Sequence, residues 1–342
     1  TYIVNFSNEM LQKCLTTTIE SKKLADSTRS NYIATWNNRV RDEIGGMKVV
    51  QVRPSHIRLF YSRLTKDGYS HSTIKLIHNL LYPSFEMAVD DDIIRKNPAK
   101  DALGDNGELA KEKMALTPSQ QNRLLSFVEQ SSVYNVYLPM LQIMIGTGCR
   151  CGELIGLTWA DVDMEKKEVS ISCQLIYKNY GDGYKFHVST PKTDAGIRKI
   201  PMSDTVYKAF ASQKRQNFLQ RIPRNVEIEG RTDFIFMSKN GRPLMPSTVN
   251  NVLYNIVAAY NKQETEQAKK EKREAEYMPS ISAHTLRHTG CTRMAEQGLD
   301  MKVVQYIMGH ANIGVTMEVY NHITEWARIE NEIAKMDAVQ VV

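Results

Sequence analysis

The chain has 342 residues, of which 42% are hydrophobic and 24% are charged, a composition typical of a globular protein long enough for two domains. No apolar run approaches the roughly 18 residues of a membrane-spanning helix, and no signal peptide is visible. The formal net charge is +6, and the five cysteines form no CxxC pair and show no zinc-ligand spacing. These features predict a reduced cytoplasmic protein without a structural metal, and they hint at an anionic partner.

The positive charge is concentrated in two stretches, one in each half of the chain. Residues 27–76 hold nine lysines and arginines against three acidic residues, and residues 175–224 hold ten against three. Two basic surfaces suit a protein that grips a polyanion from two sides, but two solvated faces without a ligand explain the charge equally well. Charge alone leaves both interpretations open.

Residues 1–98 have the apolar periodicity of a helical bundle and are predicted to form the first domain. Four helices are expected, over residues 5–24, 27–44, 55–64 and 72–89. Seven basic side chains lie mostly off the apolar stripes, so they are available to phosphate groups. They are Arg39, Arg41, Arg53, Arg58, Arg63, Lys66 and Lys75.

Residues 99–113 are small and polar and lack periodicity, so they predict a linker to a second domain over residues 114–342. That domain reads as mainly helical, with alternating β-branched residues between 168 and 201. We expect one strand over 169–175, a return strand after the turn at 181–183, and a third strand over 197–200. A further short strand is expected over 233–237, and helices over 285–297, 300–308, 314–322 and 324–336. The predicted fold class is mainly α with a small antiparallel β-sheet.

Several side chains of the second domain suit chemistry on a phosphodiester. Attack on such a group places extra charge on its non-bridging oxygens, which the guanidinium groups of Arg150 and Arg287 and the imidazole of His284 could stabilise without a metal. Lys192, at a predicted hairpin tip, could protonate the departing oxygen. Tyr320 is a candidate nucleophile if cations or a base lie beside it. Taken singly, each of these residues is more commonly a surface or packing side chain.

Five segments, in this order, resemble the motifs of the tyrosine recombinase, or phage integrase, family. They are GTGCRCGEL at 146–154, TPKT at 190–193, HTLRHT at 284–289, GHANI at 309–313 and VYNH at 319–322. The resemblance covers nearly the whole chain, because the helical first domain is similar to the core-binding domain of that family. It implies that the two domains form a clamp on DNA.

The resemblance implies a role for each matched residue. Tyr320 would attack the scissile phosphate, giving a 3′-phosphotyrosine and a free 5′-hydroxyl, and Lys192 would act as the general acid. Glu153 would support Arg150. No cofactor is implied: one phosphoester replaces another, so no ATP is needed, and two arginines with histidine donors match the developing charge without a metal. The residues expected to bind and stabilise the phosphoryl group are Arg150, Arg287, His284 and His310, with His284 also serving the proton of the nucleophile.

The implied partners are double-stranded DNA that carries the cleavage site and three further copies of the chain, in a homotetramer on two duplexes. Accessory excision or DNA-bending proteins and a place on the bacterial nucleoid belong to the same expectation. The chain is similar to integrases of conjugative transposons and temperate phages, which integrate and excise mobile elements. Because those integrases commonly carry an upstream arm-binding domain that is absent here, we expect this chain to be a fragment.

Two other functions remain open at this stage. A type IB topoisomerase would use the same chemistry on one duplex, and a catalytically silent DNA-binding regulator would keep the fold without the reaction. A metal-dependent nuclease is disfavoured, because no carboxylate cluster accompanies the histidines and arginines.

Overall fold

The computed structural model describes residues 26–107, 115–181, 183–191, 193–221 and 226–321. The chain divides into two compact units, Thr1–Glu112 and Lys113–Val342. The helices expected over residues 5–24 and 324–336 lie outside the described residues. None of the described helices has both the length and the apolar character needed to cross a membrane.

Three helices build the described part of the first unit. They are α1 (Asp26–Thr35), α2 (Pro54–Lys66) and α3 (His71–Asp90), and a π-helical turn, Trp36–Val40, extends α1. The apolar stripes of these helices bury a core that includes Phe60, Tyr61 and Phe85. Ser70 caps α3 by accepting a hydrogen bond from the backbone N–H of Thr73.

Part of the segment expected to be a linker packs against the first unit instead. Ala99 and Ala102 are buried in its core. The backbone N–H of Gly107 donates to Thr65 Oγ1 at 2.9 Å, and the carbonyl oxygen of Asn106 lies 2.7 Å from His71 Nδ1. Small residues without periodicity therefore mark a close approach of the chain to α2 and α3 over residues 99–107, rather than freedom from them.

The second unit is mainly helical, which confirms the predicted fold class. Its helices are α4 (Pro118–Gln130), α5 (Leu138–Thr147), α6 (Cys151–Gly156), α7 (Asp204–Leu219), α8 (Pro246–Glu271), α9 (Ala283–Glu296), α10 (Met301–Met308) and α11 (Ile313–Asn321). Helix α5 is central, because it is buried nearly all round and packs against α7 and α9. A helix that is apolar on every face belongs inside a core.

The β-strands form two separate antiparallel groups. They are β1 (Val162–Asp163), β2 (Glu168–Ile171), β3 (Gln174–Asn179), β4 (Tyr184–Ser189) and β5 (Arg198–Pro201). One sheet has the order β1-β2-β5, and β3 pairs with β4 in a hairpin.

Two strand predictions are wrong. The strand expected over 169–175 is broken, because the backbone of β3 packs against α6, where Gly152 and Gly156 leave room for Gln174 and Leu175. The strand expected over 233–237 is replaced by two isolated bridges, Thr158 with Phe234 and Met237 with Pro243.

Helices α5 and α9 approach each other closely at Gly290. A Cβ atom at this position would fall well inside contact distance of the carbonyl oxygen of Ile145. The absence of a side chain lets α9 lie against α5, and Arg287 stands one helical turn earlier on α9. Close packing here therefore positions a candidate site residue.

We expect Gly290→Ala to lower the stability of the second unit by about 1–3 kcal/mol, because the added methyl group meets backbone atoms that cannot move aside. Gly46→Ala is the matched control, since a Cβ there would meet nothing within 4 Å. Calorimetric unfolding of the full chain measures both variants. Equal shifts for the two would contradict this account of the α5–α9 contact.

Candidate functional site

Arg150 is held in place by its own helix start. Helix α5 ends at Gly148, whose φ of +60° is a left-handed conformation that glycine adopts without strain. Arg150 then precedes α6 and donates to Glu153 twice, from its backbone N–H at 2.9 Å and from Nη1 at 2.7 Å. Its side chain is 41% exposed, whereas that of Glu153 is 3% exposed. Glu153 thus fixes a guanidinium that solvent, or a ligand, can still reach.

Arg287 lies deeper, on α9, where it is 4% exposed. Its Nη1 donates to the carbonyl oxygen of Gly148 at 2.6 Å, and its Nη2 donates to that of Met308 at 2.5 Å. Burial and the nearby charge of Arg150 lower the pKa of Arg287 to about 10, so the group keeps its positive charge at neutral pH.

The C-terminal end of α10 gathers three arginines. The last carbonyl groups of a helix have no partner within it and carry partial negative charge, which favours cations there. Three consecutive carbonyl oxygens each accept from a different arginine: Ile307 from Arg198 Nε at 2.6 Å, Met308 from Arg287 Nη2 at 2.5 Å, and Gly309 from Arg150 Nη2 at 3.0 Å. Residues far apart in the chain are thereby brought to one place.

His310 follows this helix end directly. Its Nδ1 lies 2.9 Å from Oγ1 of the buried Thr316, and its carbonyl oxygen accepts from Gln305 Nε2 at 3.0 Å. Burial, together with the charges of Arg287 and Arg150, lowers the pKa of His310 to about 4. The imidazole is therefore neutral at pH 7 and acts as a hydrogen-bonding group rather than a cation.

Arg198 on β5 is a site residue that the sequence analysis missed. Its side chain is fully buried, and it forms a two-pronged ion pair with Glu153, from Nη2 to Oε2 at 2.9 Å and from Nη1 to Oε1 at 3.3 Å. Burial opposes ionisation of Glu153, but the bonds and charge of Arg198, with those of Arg150, outweigh it and hold the pKa of Glu153 below its usual range. Strand alternation could have revealed Arg198, since it shares the inward face of β5 with Ile200.

The charges of this cluster do not cancel. Arg150, Arg198 and Arg287 carry three positive charges, and Glu153 is the one carboxylate that pairs with them in the described parts of the chain. With His310 neutral, two positive charges remain uncompensated. Such a surplus in a partly buried place favours binding of an anion.

His284 and His288 lie one turn apart on α9, with their Nε2 atoms 3.1 Å apart and their rings nearly perpendicular. The charge of His288 contributes to the lowered pKa of His310. His288 thus makes a polar contact with His284. The His284 ring is exposed, so it is accessible to a ligand.

Of the remaining candidate residues, the structure places Tyr320 on α11, a helix that packs against α9 and α10. Lys192 lies outside the described residues, between β4 and the helical turn Asp194–Gly196.

Among the residues that the structure describes, no group of three or more His, Cys, Asp and Glu side chains could hold a metal ion. Burial raises the pKa of Cys149 to about 11 and that of Cys151 to about 12, which favours packing thiols over a redox switch.

The seven basic candidates of the first unit lie at its surface. Arg39 is half-buried beneath Tyr69, with its guanidinium carbon 5.5 Å from the ring centroid. Arg41 and Arg63 pair with acidic neighbours, in contacts that are weak when solvent-exposed. The other four are exposed: Arg53, Arg58, Lys66 and Lys75.

Comparison with known proteins identifies the family. The phage integrase family profile matches residues 114–326. The transposase from transposon Tn916 of Enterococcus faecalis is 34% identical over 288 residues, which are 83% of this chain and 66% of that relative, so the chain spans just under two thirds of its length. The chain therefore belongs to the phage integrase family, that of the tyrosine recombinases.

Solved structures agree with this assignment. The Tn1549 transposon integrase, in complex with a circular intermediate DNA, is 30% identical with a TM-score of 0.80, over 96% of this chain and 99% of that one. A lambda integrase dimer bound to a core site shares the fold, with 14% identity, a TM-score of 0.61 and coverage of 93% and 97%.

The neutral state of His310 can be tested by NMR titration of histidine labelled with carbon-13. We expect a pKa near 4, and a value between 4 and 6.5 in Arg287→Met, because that change removes one positive charge but leaves the burial. The unfolded chain binds this proton near pH 6.5 and the folded chain only near pH 4, so the ring lowers stability as the pH falls through that window. His310→Asn assigns the signal, and a wild-type pKa near 6.5 would contradict the description.

Proposed function

We propose that the protein is a site-specific DNA recombinase that cleaves and rejoins strands through a 3′-phosphotyrosine intermediate, integrating and excising a mobile element. The observation that carries this proposal is the pair of uncompensated positive charges beside the neutral imidazole of His310. A phosphodiester brings one negative charge, and nucleophilic attack adds negative charge on its non-bridging oxygens. Guanidinium donors already held in place stabilise that added charge most, so they lower the barrier.

In the first step, the phenolic oxygen of Tyr320 attacks the phosphorus, its proton passes to His284, and the bond from phosphorus to the 5′-oxygen breaks. Lys192 supplies the proton that the departing 5′-oxygen needs. Arg150, Arg287 and His310 hold the phosphoryl oxygens throughout. In the second step, the 5′-hydroxyl of the partner strand attacks the phosphorus and gives its proton to Lys192, while the bond from phosphorus to the Tyr320 oxygen breaks and His284 returns the proton to that oxygen. Because one phosphoester replaces another, the exchange needs no ATP, and the arginines and histidines supply the charge stabilisation that a metal would otherwise provide.

The partner in this proposal is double-stranded DNA, as it is for the Tn1549 integrase, and the mobile element follows from the similarity to the Tn916 transposase. Exchange of both strands between two duplexes requires four cleavages. Each protomer contributes one Tyr320, so the working assembly is a homotetramer on two duplexes. Accessory excision or DNA-bending proteins and a place on the bacterial nucleoid belong to the same proposal.

A pool of nicked duplexes with a randomised centre tests the chemistry on many target sequences at once. After cleavage near the nick, the short strand diffuses away, and the covalent protein–DNA adduct survives denaturing detergent. We expect wild-type protein to form adducts with a shared sequence, and Tyr320→Phe to form none while it still shifts the recovered duplex in a gel. Adduct formation by the Phe variant would reject the assignment of the nucleophile.

Plasmid relaxation and gel-shift measurements alongside the adduct assay separate the two alternative functions. Relaxation of supercoiled plasmid with no joined partner molecule would favour a type IB topoisomerase. A salt-dependent gel shift with no adduct on any duplex of the pool would favour a silent DNA-binding regulator.

The first unit contributes phosphate contacts in this proposal. The triple variant Arg58→Ala, Lys66→Ala and Lys75→Ala removes three exposed positive charges. The slope of log K against log salt concentration is negative, and we expect its magnitude to decrease by about 2.7, since each phosphate contact contributes about 0.9. Alanine at Arg95, Lys96 and Lys100, three exposed basic residues outside the set, is the matched control. An equal loss for the two triples would contradict the assignment.

A further inference from the structure

Arg198 differs from the other two arginines of the site in what it can touch. Its side chain is fully buried, whereas that of Arg150 is 41% exposed. Its Nε donates to the carbonyl oxygen of Ile307, its Nη2 donates to Glu153, and its Nη1 donates to Glu153 and to the carbonyl oxygen of Gly196. Arg287 is also buried but makes two hydrogen bonds within the described part of the chain, whereas Arg198 makes four with its five N–H groups. A guanidinium with that many donors engaged is unsuited to binding a phosphate directly.

We propose that Arg198 is a positioning residue, which holds Glu153 so that Arg150 can meet the scissile phosphate with its charge uncompensated. This inference rests on the proposed strand-transfer function. It assigns to the reaction a residue that lies on β5, on a different element from Arg150, which stands at the start of α6.

Arg198 sets the orientation of the Glu153 carboxylate. The two-pronged pair with Arg198 engages both oxygens of Glu153 from one side. The same two oxygens accept from the backbone N–H and the Nη1 of Arg150. Planar guanidinium groups fix a carboxylate in this way, whereas a single-point donor does not. Arg198 therefore sets the direction in which Glu153 holds Arg150.

Arg198 also determines how much positive charge the site has left for a phosphate. With Arg198 present, Glu153 is neutralised from within the core, and Arg150 and Arg287 together leave a surplus of two positive charges. Without Arg198, the same buried carboxylate must take Arg150 as its counter-ion, because a buried charge is retained only when it is paired. The surplus then falls from two to one. The loss should appear wherever the reaction depends on the negative charge of the phosphate.

A further contact extends this role. The bond from Arg198 Nε to Ile307 ties β5 to the end of α10, three residues before His310. A Cβ atom at Gly309 would lie 2.9 Å from Nη1 of Arg198, so the backbone turn before His310 is built against this guanidinium. Arg198 thus also steadies the carbonyl groups that Arg287 and Arg150 use.

The test compares two versions of the duplex recovered from the nicked pool, one with an ordinary phosphodiester and one with a neutral methylphosphonate at the cleavage position. We expect Arg198→Ala to slow adduct formation on the phosphodiester about a hundredfold, since small misplacements at a reacting centre have effects of about this size. The methylphosphonate is neutral before attack and gains one negative charge during it, one fewer than the phosphodiester, so on this substrate the variant should stay much closer to the wild-type rate. Arg150→Ala should show the same contrast.

Further variants separate positioning from folding. In an Arg150→Ala background, Arg198→Ala should slow the phosphodiester reaction much less than it slows the wild type, because most of its effect passes through Arg150. Arg198→Lys keeps the charge without the planar pair and should retain an intermediate rate, so it serves if the alanine variant does not fold. Arg231→Ala, which removes a half-buried pair with Asp161 elsewhere in the unit, is the control and should leave both rates nearly unchanged.

Each outcome decides the inference. A loss that is much larger on the charged substrate and much smaller in the Arg150→Ala background supports it. Equal slowing on both substrates, or no slowing on either, overturns it, while the wild-type adduct keeps the proposed function intact. If the wild-type protein forms no adduct on either substrate, the proposed function fails, and this inference fails with it.

Discussion

The site depends on a balance between repulsion among its arginines and attraction of those arginines to carbonyl groups and a carboxylate. Three guanidinium groups lie close together, where they repel one another, and the carbonyl end of α10 together with Glu153 offsets that repulsion. Because the helix end supplies only partial charges, it can gather the arginines without neutralising them. A site assembled on a second full carboxylate would hold the same side chains with less charge left for a substrate.

This arrangement explains why the rest of the unit is built as it is. The arginines come from the start of α6, from β5 and from α9, and each element reaches α10 only because the core fixes it. The close approach of α5 and α9 at Gly290 brings Arg287 within reach of Gly148 and Met308. The buried face of β5 brings Arg198 to the same place. Packing far from the chemistry is thus part of its geometry.

Sequence patterns predict much of this and fail where contacts are non-local. The helices expected over residues 285–297, 300–308 and 314–322 and the fold class follow from the apolar period, whereas the convergence of Arg150, Arg287 and His310 is what the family resemblance implies. Arg198 escaped because a charged residue in a short strand looks solvent-facing until its partner, Glu153 from another element, is known. The single strand expected over 169–175 failed for a related reason, since only the packing of α6 on β3 breaks it.

Gly309 constrains how this chain can vary. Its φ of +62° and the nearness of the Arg198 guanidinium leave no space for a side chain, and its carbonyl oxygen is a partner of Arg150. Any replacement would strain the backbone turn and disturb two arginines at once, so Gly309 is a position where this fold requires glycine. Replacement is tolerated instead at open positions such as Gly46, where a Cβ atom would meet nothing within 4 Å.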